Sequence, residues 1–232
     1  MIASRKAKLS RTMRGDLVAI IQDEILGKKF RPGERVKEEA VCEELGISRT
    51  PVREALAVLA QQGLVVQRPH RGTVVATFTP QEIIDLLRLE SAVEGIAAAM
   101  AATNRTPEQL AELEALTESV RSSLSEHFDP EKFYNYDRKF HAKLVECTGS
   151  PIVMRIVETQ LALIYLCRYF TITAPNRFGH SVREHQQIIE CLRRSDPVCA
   201  ESAARQHMES VINDYQASAT GARSKEDVGG EG

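Results

Sequence analysis

The amino-acid sequence predicts a mainly α-helical protein with one small region of β-structure near its N-terminus. Aromatic residues make up only 5% of the 232 residues and tryptophan is absent, so the core must be aliphatic and alanine-rich, which suits helices. In the second part of the chain, five prolines each follow a capping residue and precede a long stretch of helical periodicity. Two short β-type runs occur within residues 64–76.

Three helices come first along the chain. Apolar residues at helical spacing predict them over residues 13–25, 37–45 and 51–62. A glycine follows each range and ends the helix, because glycine readily takes the backbone conformation that terminates helices. These glycines are Gly27, Gly46 and Gly63.

The third helix carries the most informative pattern in the sequence. Thr50 is expected to cap it, and Pro51 suits its first position, where no backbone donor is needed. Its buried face consists of Val52, Leu56 and Leu59. Arg49 and Arg53 fall at the exposed N-terminal end, where a helix can meet phosphate or base edges. The pattern predicts a DNA-recognition helix, with Arg49, Thr50 and Arg53 as contact residues.

A basic hairpin follows the third helix. Residues 64–67 and 73–76 predict two short strands, joined by the turn Arg68-Pro69-His70-Arg71-Gly72. Helix, helix, turn, helix and hairpin is the element order of a winged helix-turn-helix, and the turn would be the tip of its wing.

Six helices and no strand are predicted after this hairpin, which indicates an antiparallel helical bundle. Five of them begin at Thr79-Pro80, Thr106-Pro107, Asp129-Pro130, Ser150-Pro151 and Asp196-Pro197. Thr79 and Glu82 also fit a capping box. An apolar stripe predicts the inward face of the first of these helices: Leu86, Leu89, Val93, Ile96 and Met100.

Charge divides the chain near residue 77. Residues 1–77 hold 14 Lys and Arg against 9 Asp and Glu, whereas the remainder holds 16 against 23. A basic front and an acidic back fit a nucleic-acid reader joined to a part that does not touch nucleic acid. The expected organisation is a disordered basic arm over 1–10, a winged helix-turn-helix over 11–77, a helical domain over 78–218 and a disordered tail over 219–232.

Cysteine usage and hydropathy predict the compartment. Five cysteines without a CxxC spacing indicate reduced thiols, and they argue against disulfides and cysteine-ligated zinc modules. No stretch approaches the ~20 apolar residues of a membrane span, and no apolar signal region is present at the N-terminus. The expected location is the cytoplasm, without a membrane partner.

Four side chains suggest a metal site inside the bundle. Asp137 and His141 are four residues apart and share an apolar helix face. His185 and His207 also lie on apolar faces of their own helices. Each histidine alone could be a hydrogen-bonded core residue, and Asp137 with His141 could simply bridge within a helix. A buried aspartate is costly unless it is paired or bound to metal, however, and one divalent ion would satisfy all four groups.

The donor set favours a transition metal. Three imidazoles and a carboxylate suit Zn²⁺ first, with Ni²⁺ or Mn²⁺ as alternatives, and do not suit Ca²⁺. Arg88 and Arg177 are candidates for binding a carboxylate ligand nearby, because a guanidinium grips a carboxylate with two parallel hydrogen bonds. For Arg88 the alternative is a salt bridge to an acid on its own helix. His127 and His180 are expected to be surface residues.

Several of these motifs resemble those of one family of bacterial regulators. Pro32-Gly33, the Ser48–Leu56 run and Pro69-x-Arg71-Gly72 make residues 11–77 resemble the winged-helix domain of GntR-family transcriptional regulators. Residues 79–217 resemble the helical effector-binding domain of the FadR subfamily, called the FCD domain. Family members often carry a basic residue where Glu39 stands, so the resemblance does not extend to a phosphate contact from the second helix.

The resemblance implies specific roles. Arg49 and Arg53 would contact DNA from the recognition helix, and the wing of His70, Arg71 and Gly72 would enter the minor groove. The metal-binding branch of FCD domains uses an Asp-x₃-His pair followed by two histidines. The residues of this sequence that match that pattern are Asp137, His141, His185 and His207. The resemblance also implies a homodimer that reads a palindromic operator, and a small carboxylate effector that completes the coordination of the metal.

The leading hypothesis is a ligand-responsive transcription factor, a repressor, which is not an enzyme. A metalloenzyme is the second hypothesis, because three histidines and an aspartate around an open ion could activate water. No separate inward general base stands out, however, and an enzyme would leave the winged helix unexplained. An architectural DNA binder with a structural ion is the third.

Overall fold

The computed structural model describes residues 13–26, 29–124, 129–171 and 177–226. The chain divides into two compact units, Met1–Phe78 with Thr159–Leu166 and Thr79–Glu158 with Cys167–Gly232. The predicted arm over residues 1–10 lies outside the described residues, as do Gly27 and His127.

The first unit begins with three helices: α1 Met13–Leu26, α2 Glu38–Leu45 and α3 Arg49–Gln61. α1 packs on α3, and their contact is an aliphatic layer that excludes water, as the helical spacing predicts. The layer includes the buried side chains Leu17, Ile21, Ile25, Val52, Leu56 and Leu59. Gly46 ends α2 in the left-handed conformation, with φ of 67°, which a side chain would disfavour.

The start of α3 differs from the prediction. Ser48 is the extended residue before the helix, and Arg49 is its first residue, so Thr50 does not cap it and Pro51 lies within its first turn. Proline is tolerated at this later position because the first four backbone N–H groups of a helix have no intrahelical acceptor. The exposed arginines therefore lie on the helix itself.

Two antiparallel strands complete the first unit, β1 Val65–Arg68 and β2 Gly72–Val75. Val65 pairs with Val75, and both point into the core, while Arg68 pairs with Gly72 beside the turn. His70 and Gly72 have positive φ, which reverses the chain within three residues. The predicted wing is thus present, with its tip exposed.

The second unit is helical throughout its described part, in agreement with the predicted bundle. Its helices are α4 Pro80–Asn104, α5 Pro107–Leu124, α6 Pro130–Glu146, α7 Pro151–Thr171 without the segment Thr159–Leu166, α8 Arg177–Arg193 and α9 Pro197–Glu226. All five predicted Pro starts are observed. The capping box at the start of α4 is also observed, since Thr79 accepts from the backbone of Glu82 and the Glu82 side chain accepts from the backbone of Thr79.

The predicted inward stripe of α4 is wrong. Leu89 and Ile96 are 52% and 54% exposed, and the other three residues of the stripe are only half-buried. The buried face of α4 instead carries large aliphatic side chains near its start, followed by two acids, a glycine and alanines. The reason is close packing of α4 against α9: a Cβ on Gly95 would come within 3.2 Å of three atoms of the Arg205 side chain, so only small residues fit there. Periodicity located a genuine apolar face, but that face is uncovered in the single chain.

Two further expectations are corrected. Cys191 and Cys199 form a disulfide, because the turn between α8 and α9 brings their Cα atoms to 5.5 Å. The tail from residue 219, which was expected to be disordered, continues α9 as far as Glu226. Among the described residues, no helix has the length and apolar character needed to cross a bilayer.

Candidate metal centre and nucleic-acid interface

The N-terminal end of α3 presents the predicted DNA-contact residues to solvent. Arg49 and Arg53 are 60% and 62% exposed at their side chains, and Thr50 is exposed between them. Each arginine pairs with an acid of α2: Arg53 Nε lies 2.7 Å from Glu38, and Arg49 lies 3.4 Å from Glu39. Such exposed pairs are weak, so phosphate or a base edge can displace them at small cost.

The wing carries a second basic surface. His70, Arg71 and Gly72 are exposed at the tip, as predicted. Beside them lies an open groove of about 740 Å³, whose basic lining also includes Arg35 and Arg68. Sequence reasoning did not single out Arg35, which the backbone pairing with Val74 aligns along the hairpin. The groove is open and basic, which suits a nucleic-acid backbone better than a small apolar ligand.

The second unit buries all four predicted metal ligands. Asp137, His141, His185 and His207 are at most 5% exposed, and they come from α6, α8 and α9. The three histidines form one compact group, in which their ligand nitrogens lie within 4.8 Å of one another. Asp137 adjoins this group, because its Oδ1 is 3.6 Å from His141 Nε2 and 4.0 Å from His185 Nε2.

Each histidine of the group meets another side chain at Nδ1. His185 Nδ1 lies 2.7 Å from the Tyr136 hydroxyl, and His207 Nδ1 lies 2.8 Å from Glu184 Oε2. His141 Nδ1 lies 2.5 Å from Glu94 Oε1, although not in hydrogen-bond alignment. Metal-ligating histidines commonly hold their second nitrogen in this way, which orients the ring.

The opposite nitrogens of the three histidines lack a hydrogen bond, although Asp137 Oδ1 lies near two of them. Nε2 of His141, His185 and His207 are all buried, and none makes a hydrogen bond. Unpaired buried polar atoms are costly, and three that face one another beside a carboxylate need a common explanation. The donor set fits a divalent transition metal, because neutral imidazole nitrogens and a carboxylate oxygen are its usual ligands.

A buried arginine at this centre was not predicted. Arg168 on α7 is 4% exposed, and its guanidinium bonds Asp137, Glu90 and Glu94. The two glutamates belong to the buried face of α4. Residue spacing gives no signal for this cluster, because Arg168 is 31 to 78 positions away from its three partners.

Burial and neighbouring charge set the protonation of the centre. Burial raises the pKa of Glu90 to about 7 against the opposing effect of Arg168. Burial and nearby histidines lower the pKa of His185 and of His207, which favours the neutral form that binds metals. Burial and Arg168 also lower the pKa of His141, but Glu94 and Asp137 outweigh them and raise it to about 9.

Asp137 remains ionised at this centre. Burial alone would raise the pKa of Asp137, but Arg168 and His141 hold it well below its usual range. A carboxylate and two neutral imidazoles are therefore ready to bind a cation, whereas His141 must first lose a proton.

The two predicted effector residues lie in different surroundings. Arg88 is 65% exposed at its side chain, and its neighbour is Asp85 at 3.7 Å, so the structure does not bring it to the centre. Arg177 is 2% exposed and bonds Glu184, the same carboxylate that meets His207. The sequence could not distinguish them, because both are arginines on helices with mixed faces.

Arg177 and Arg168 line one small cavity. Its volume is about 10 Å³, which is room for a single water molecule. The lining residues are Phe133, Asp137, Arg168, Thr171, Arg177, Ser181 and Val211. Two guanidinium groups and a candidate metal ligand thus line the same small cavity. His180, expected at the surface, is partly exposed and lies 3.2 Å from Asp214.

Comparison with protein families matches both units. The model for bacterial regulatory proteins of the gntR family matches residues 14–75, and the FCD domain model matches residues 85–210. An HTH-type transcriptional regulator of Mycobacterium tuberculosis is 36% identical over 190 residues, which are 82% of this chain and 75% of that protein. The HTH-type transcriptional repressor RspR of Escherichia coli is 27% identical over 192 residues, covering 83% and 84%.

Solved structures show the same architecture. E. coli McbR/YncC superposes with a TM-score of 0.74 at 22% identity, over 90% of this chain and 99% of that one. A putative transcriptional regulator GntR from Rhodococcus sp. RHA1 gives a TM-score of 0.75 at 21% identity, over 89% and 99%. At these identities the likeness concerns the fold.

Proposed function

The chain belongs to the GntR family of bacterial regulatory proteins and carries an FCD domain, and from this membership we propose a metal-dependent, ligand-responsive repressor. The family and its relatives are transcriptional regulators, not enzymes. In this proposal residues 11–77 bind a palindromic operator, and residues 78–218 bind metal and effector and form the homodimer. RspR and a probable D-xylose utilization operon repressor of Paenarthrobacter nicotinovorans, both similar in sequence, support the direction of regulation.

The observation that supports the metal is the set of three unpaired Nε2 atoms in one buried group. Asp137, His141, His185 and His207 would hold the ion, with Zn²⁺ as the first choice and Ni²⁺ or Mn²⁺ as alternatives. A divalent ion would supply a positive charge and an open position for a carboxylate oxygen.

The buried arginines support an anionic effector. Arg168 and Arg177 reach the cavity beside Asp137, and guanidinium groups bind carboxylates through two parallel bonds. Because the cavity holds about one water, a carboxylate must displace side chains to enter. Arg177 shares Glu184 with His207, so an anion that draws Arg177 away changes the partner of a metal ligand. We propose that this shared contact of Glu184 with Arg177 and His207 couples effector binding to the positions of α8 and α9.

The uncovered apolar face of α4 supports the homodimer. Leu89 and Ile96 lie seven residues apart, two helical turns, and both are more than half exposed in one chain. A second copy would cover them. Light scattering should give about twice the 25.8 kDa of the chain for the wild type, and the chain mass for the variant Leu89→Glu with Ile96→Glu. If the variant were still a dimer, the interface would not be this face of α4.

The DNA-binding role is tested on an operator selected from random duplexes. Arg49→Ala and Arg53→Ala should each weaken binding in an anisotropy titration by about 1–3 kcal/mol, roughly 5- to 150-fold, if a base contact is lost. The matched control is Arg121→Ala, an exposed arginine of α5 in the helical unit, which should bind as the wild type does. Unchanged affinity in both α3 variants would refute the recognition helix.

The effector is tested by thermal shift with a panel of small carboxylates, before and after treatment with a chelator. The proposal predicts stabilisation by at least one carboxylate in the metal-loaded protein, and loss of that stabilisation when metal is removed. Equal stabilisation with and without metal would show that the carboxylate does not use the ion.

A further inference from the structure

His185 is held by a stacked ring on one side and a hydroxyl at one nitrogen. Its side chain is fully buried, and its ring stacks on Phe140 with centroids 3.8 Å apart and an interplanar angle of 6°. Its Nδ1 lies 2.7 Å from the hydroxyl of Tyr136, which is itself 4% exposed. These contacts fix the plane of the ring and the partner of Nδ1. They do not by themselves determine which of the two nitrogens carries the proton.

The hydrogen bonds behind Tyr136 answer this question. The Tyr136 hydroxyl lies 3.3 Å from Thr117 Oγ1, and Thr117 Oγ1 lies 2.9 Å from the carbonyl oxygen of Leu113, one turn earlier on α5. A carbonyl oxygen can only accept, so Thr117 must donate its single hydrogen to Leu113. Thr117 then accepts from Tyr136, and Tyr136, having used its own hydrogen, accepts from His185 Nδ1–H.

We propose that Tyr136 and Thr117 are positioning residues that hold His185 as the Nδ1–H tautomer and so present the Nε2 lone pair to a metal ion. The chain of donors has one direction, because it ends on a backbone carbonyl that cannot donate. His185 Nε2 is one of the three unpaired nitrogens of the centre, as this tautomer requires. The inference rests on the proposed metal site for its consequence, but the tautomer itself is a property of the metal-free chain.

The other two histidines need no such relay. His207 Nδ1 faces Glu184, and an ionised carboxylate accepts hydrogen bonds only, so it selects N–H at Nδ1 by itself. His141 has a carboxylate near each nitrogen, Glu94 at Nδ1 and Asp137 at Nε2, so it is held as a cation in the metal-free chain rather than as one tautomer. A tyrosine hydroxyl can donate or accept, and it would permit either tautomer of His185. Thr117 removes that freedom without adding another negative charge to a centre that already holds three buried acids beside Arg168.

Three substitutions test the hydrogen-bond relay, which runs from His185 through Tyr136 and Thr117 to the carbonyl of Leu113. Thr117→Val keeps the shape of the side chain and removes the hydroxyl, so Tyr136 regains the option of donating to His185. Thr117→Ser keeps the hydroxyl and serves as the matched control. Tyr136→Phe removes the acceptor altogether. Circular dichroism and a melting curve first establish that each full-length variant is folded.

The first measurement is the nitrogen-15 imidazole spectrum of metal-free, full-length protein, with His185 assigned by comparison with His185→Ala. The proposal predicts the Nδ1–H pattern for wild type and Thr117→Ser, and an Nε2–H or mixed pattern for Thr117→Val. An Nε2–H pattern in the wild type, or an unchanged Nδ1–H pattern in Thr117→Val, would overturn the relay.

The second measurement is the affinity for Zn²⁺, by competition with a chromophoric chelator. Loss of a partner behind a metal ligand typically weakens binding 10- to 100-fold, which is the expectation for Thr117→Val and Tyr136→Phe, with Thr117→Ser near the wild type. Equal affinity in all four proteins would overturn the role of the relay in metal binding. A wild type that binds no Zn²⁺ would instead refute the proposed metal site, while the imidazole spectrum still decides the tautomer.

Discussion

Replacing Arg168 with methionine removes the guanidinium that bonds three buried acids, and leaves His141 as the other cation beside two of them. Its guanidinium bonds Glu90, Glu94 and Asp137, and all four side chains are at most 7% exposed. Removing one partner of a buried ion pair costs about 3–5 kcal/mol, because the remaining charge loses both its partner and its water. At about 2–4 °C per kcal/mol, the melting temperature should fall on the order of 6–20 °C.

The stability of the same variant also tests whether a metal ion binds beside Asp137. An ion held by Asp137 would replace part of the charge that Arg168 supplies, so Arg168→Met should lose less stability with saturating Zn²⁺ than after chelation. Thermal unfolding is followed by circular dichroism about one pH unit or more above the pKa of Glu90, which is about 7, so that this carboxyl is largely ionised in the wild type. The control is Arg121→Met, which breaks only an exposed pair with Glu118 and should cost about 1 kcal/mol or less.

A melting temperature of Arg168→Met equal to that of Arg121→Met would refute the buried cluster. If Arg168→Met lost the same stability with and without Zn²⁺, the idea that a bound ion replaces part of the charge of Arg168 would be refuted.

Three further predictions follow, two from the centre and one from the start of α4. Zn²⁺ affinity should rise with pH up to about 9, because His141, whose pKa is raised to about 9, must release its proton to bind; an affinity flat between pH 7 and 9 by chelator competition would contradict this. The same raised pKa stabilises the metal-free fold below the unfolded value of 6.5, and this stabilisation should fade as pH rises through 9, in chemical denaturation. Thr79→Ala should cost about 0.5–2 kcal/mol in urea denaturation by removing the capping box, and Thr79→Ser should retain most of it.

Local patterns were sufficient for much of the fold. Proline after a capping residue marked five helix starts, since both residues act within one turn and need no distant partner. The buried face of α3 followed from helical spacing alone. Asp137 and His141 could be found because they are one turn apart on an apolar face, and His185 and His207 because a polar side chain among aliphatic neighbours is unusual.

What the sequence could not supply depends on contacts between distant elements. Arg168 carries no local sign of its role, because its partners come from α4 and α6. Leu89 and Ile96 form a true apolar face, but periodicity cannot tell whether the same chain or a second copy covers it. The disulfide between Cys191 and Cys199 likewise depends on how the turn between α8 and α9 closes.

Metal content tests the central claim most directly, because three buried imidazole nitrogens without a hydrogen bond lie together beside the carboxylate of Asp137. Elemental analysis of the full chain, purified without chelator and then saturated with Zn²⁺ and desalted, should give one transition-metal ion per chain. His185→Ala and His207→Ala should each retain much less metal and melt at a lower temperature than the loaded wild type. A folded wild type that holds no ion after this treatment would contradict the account.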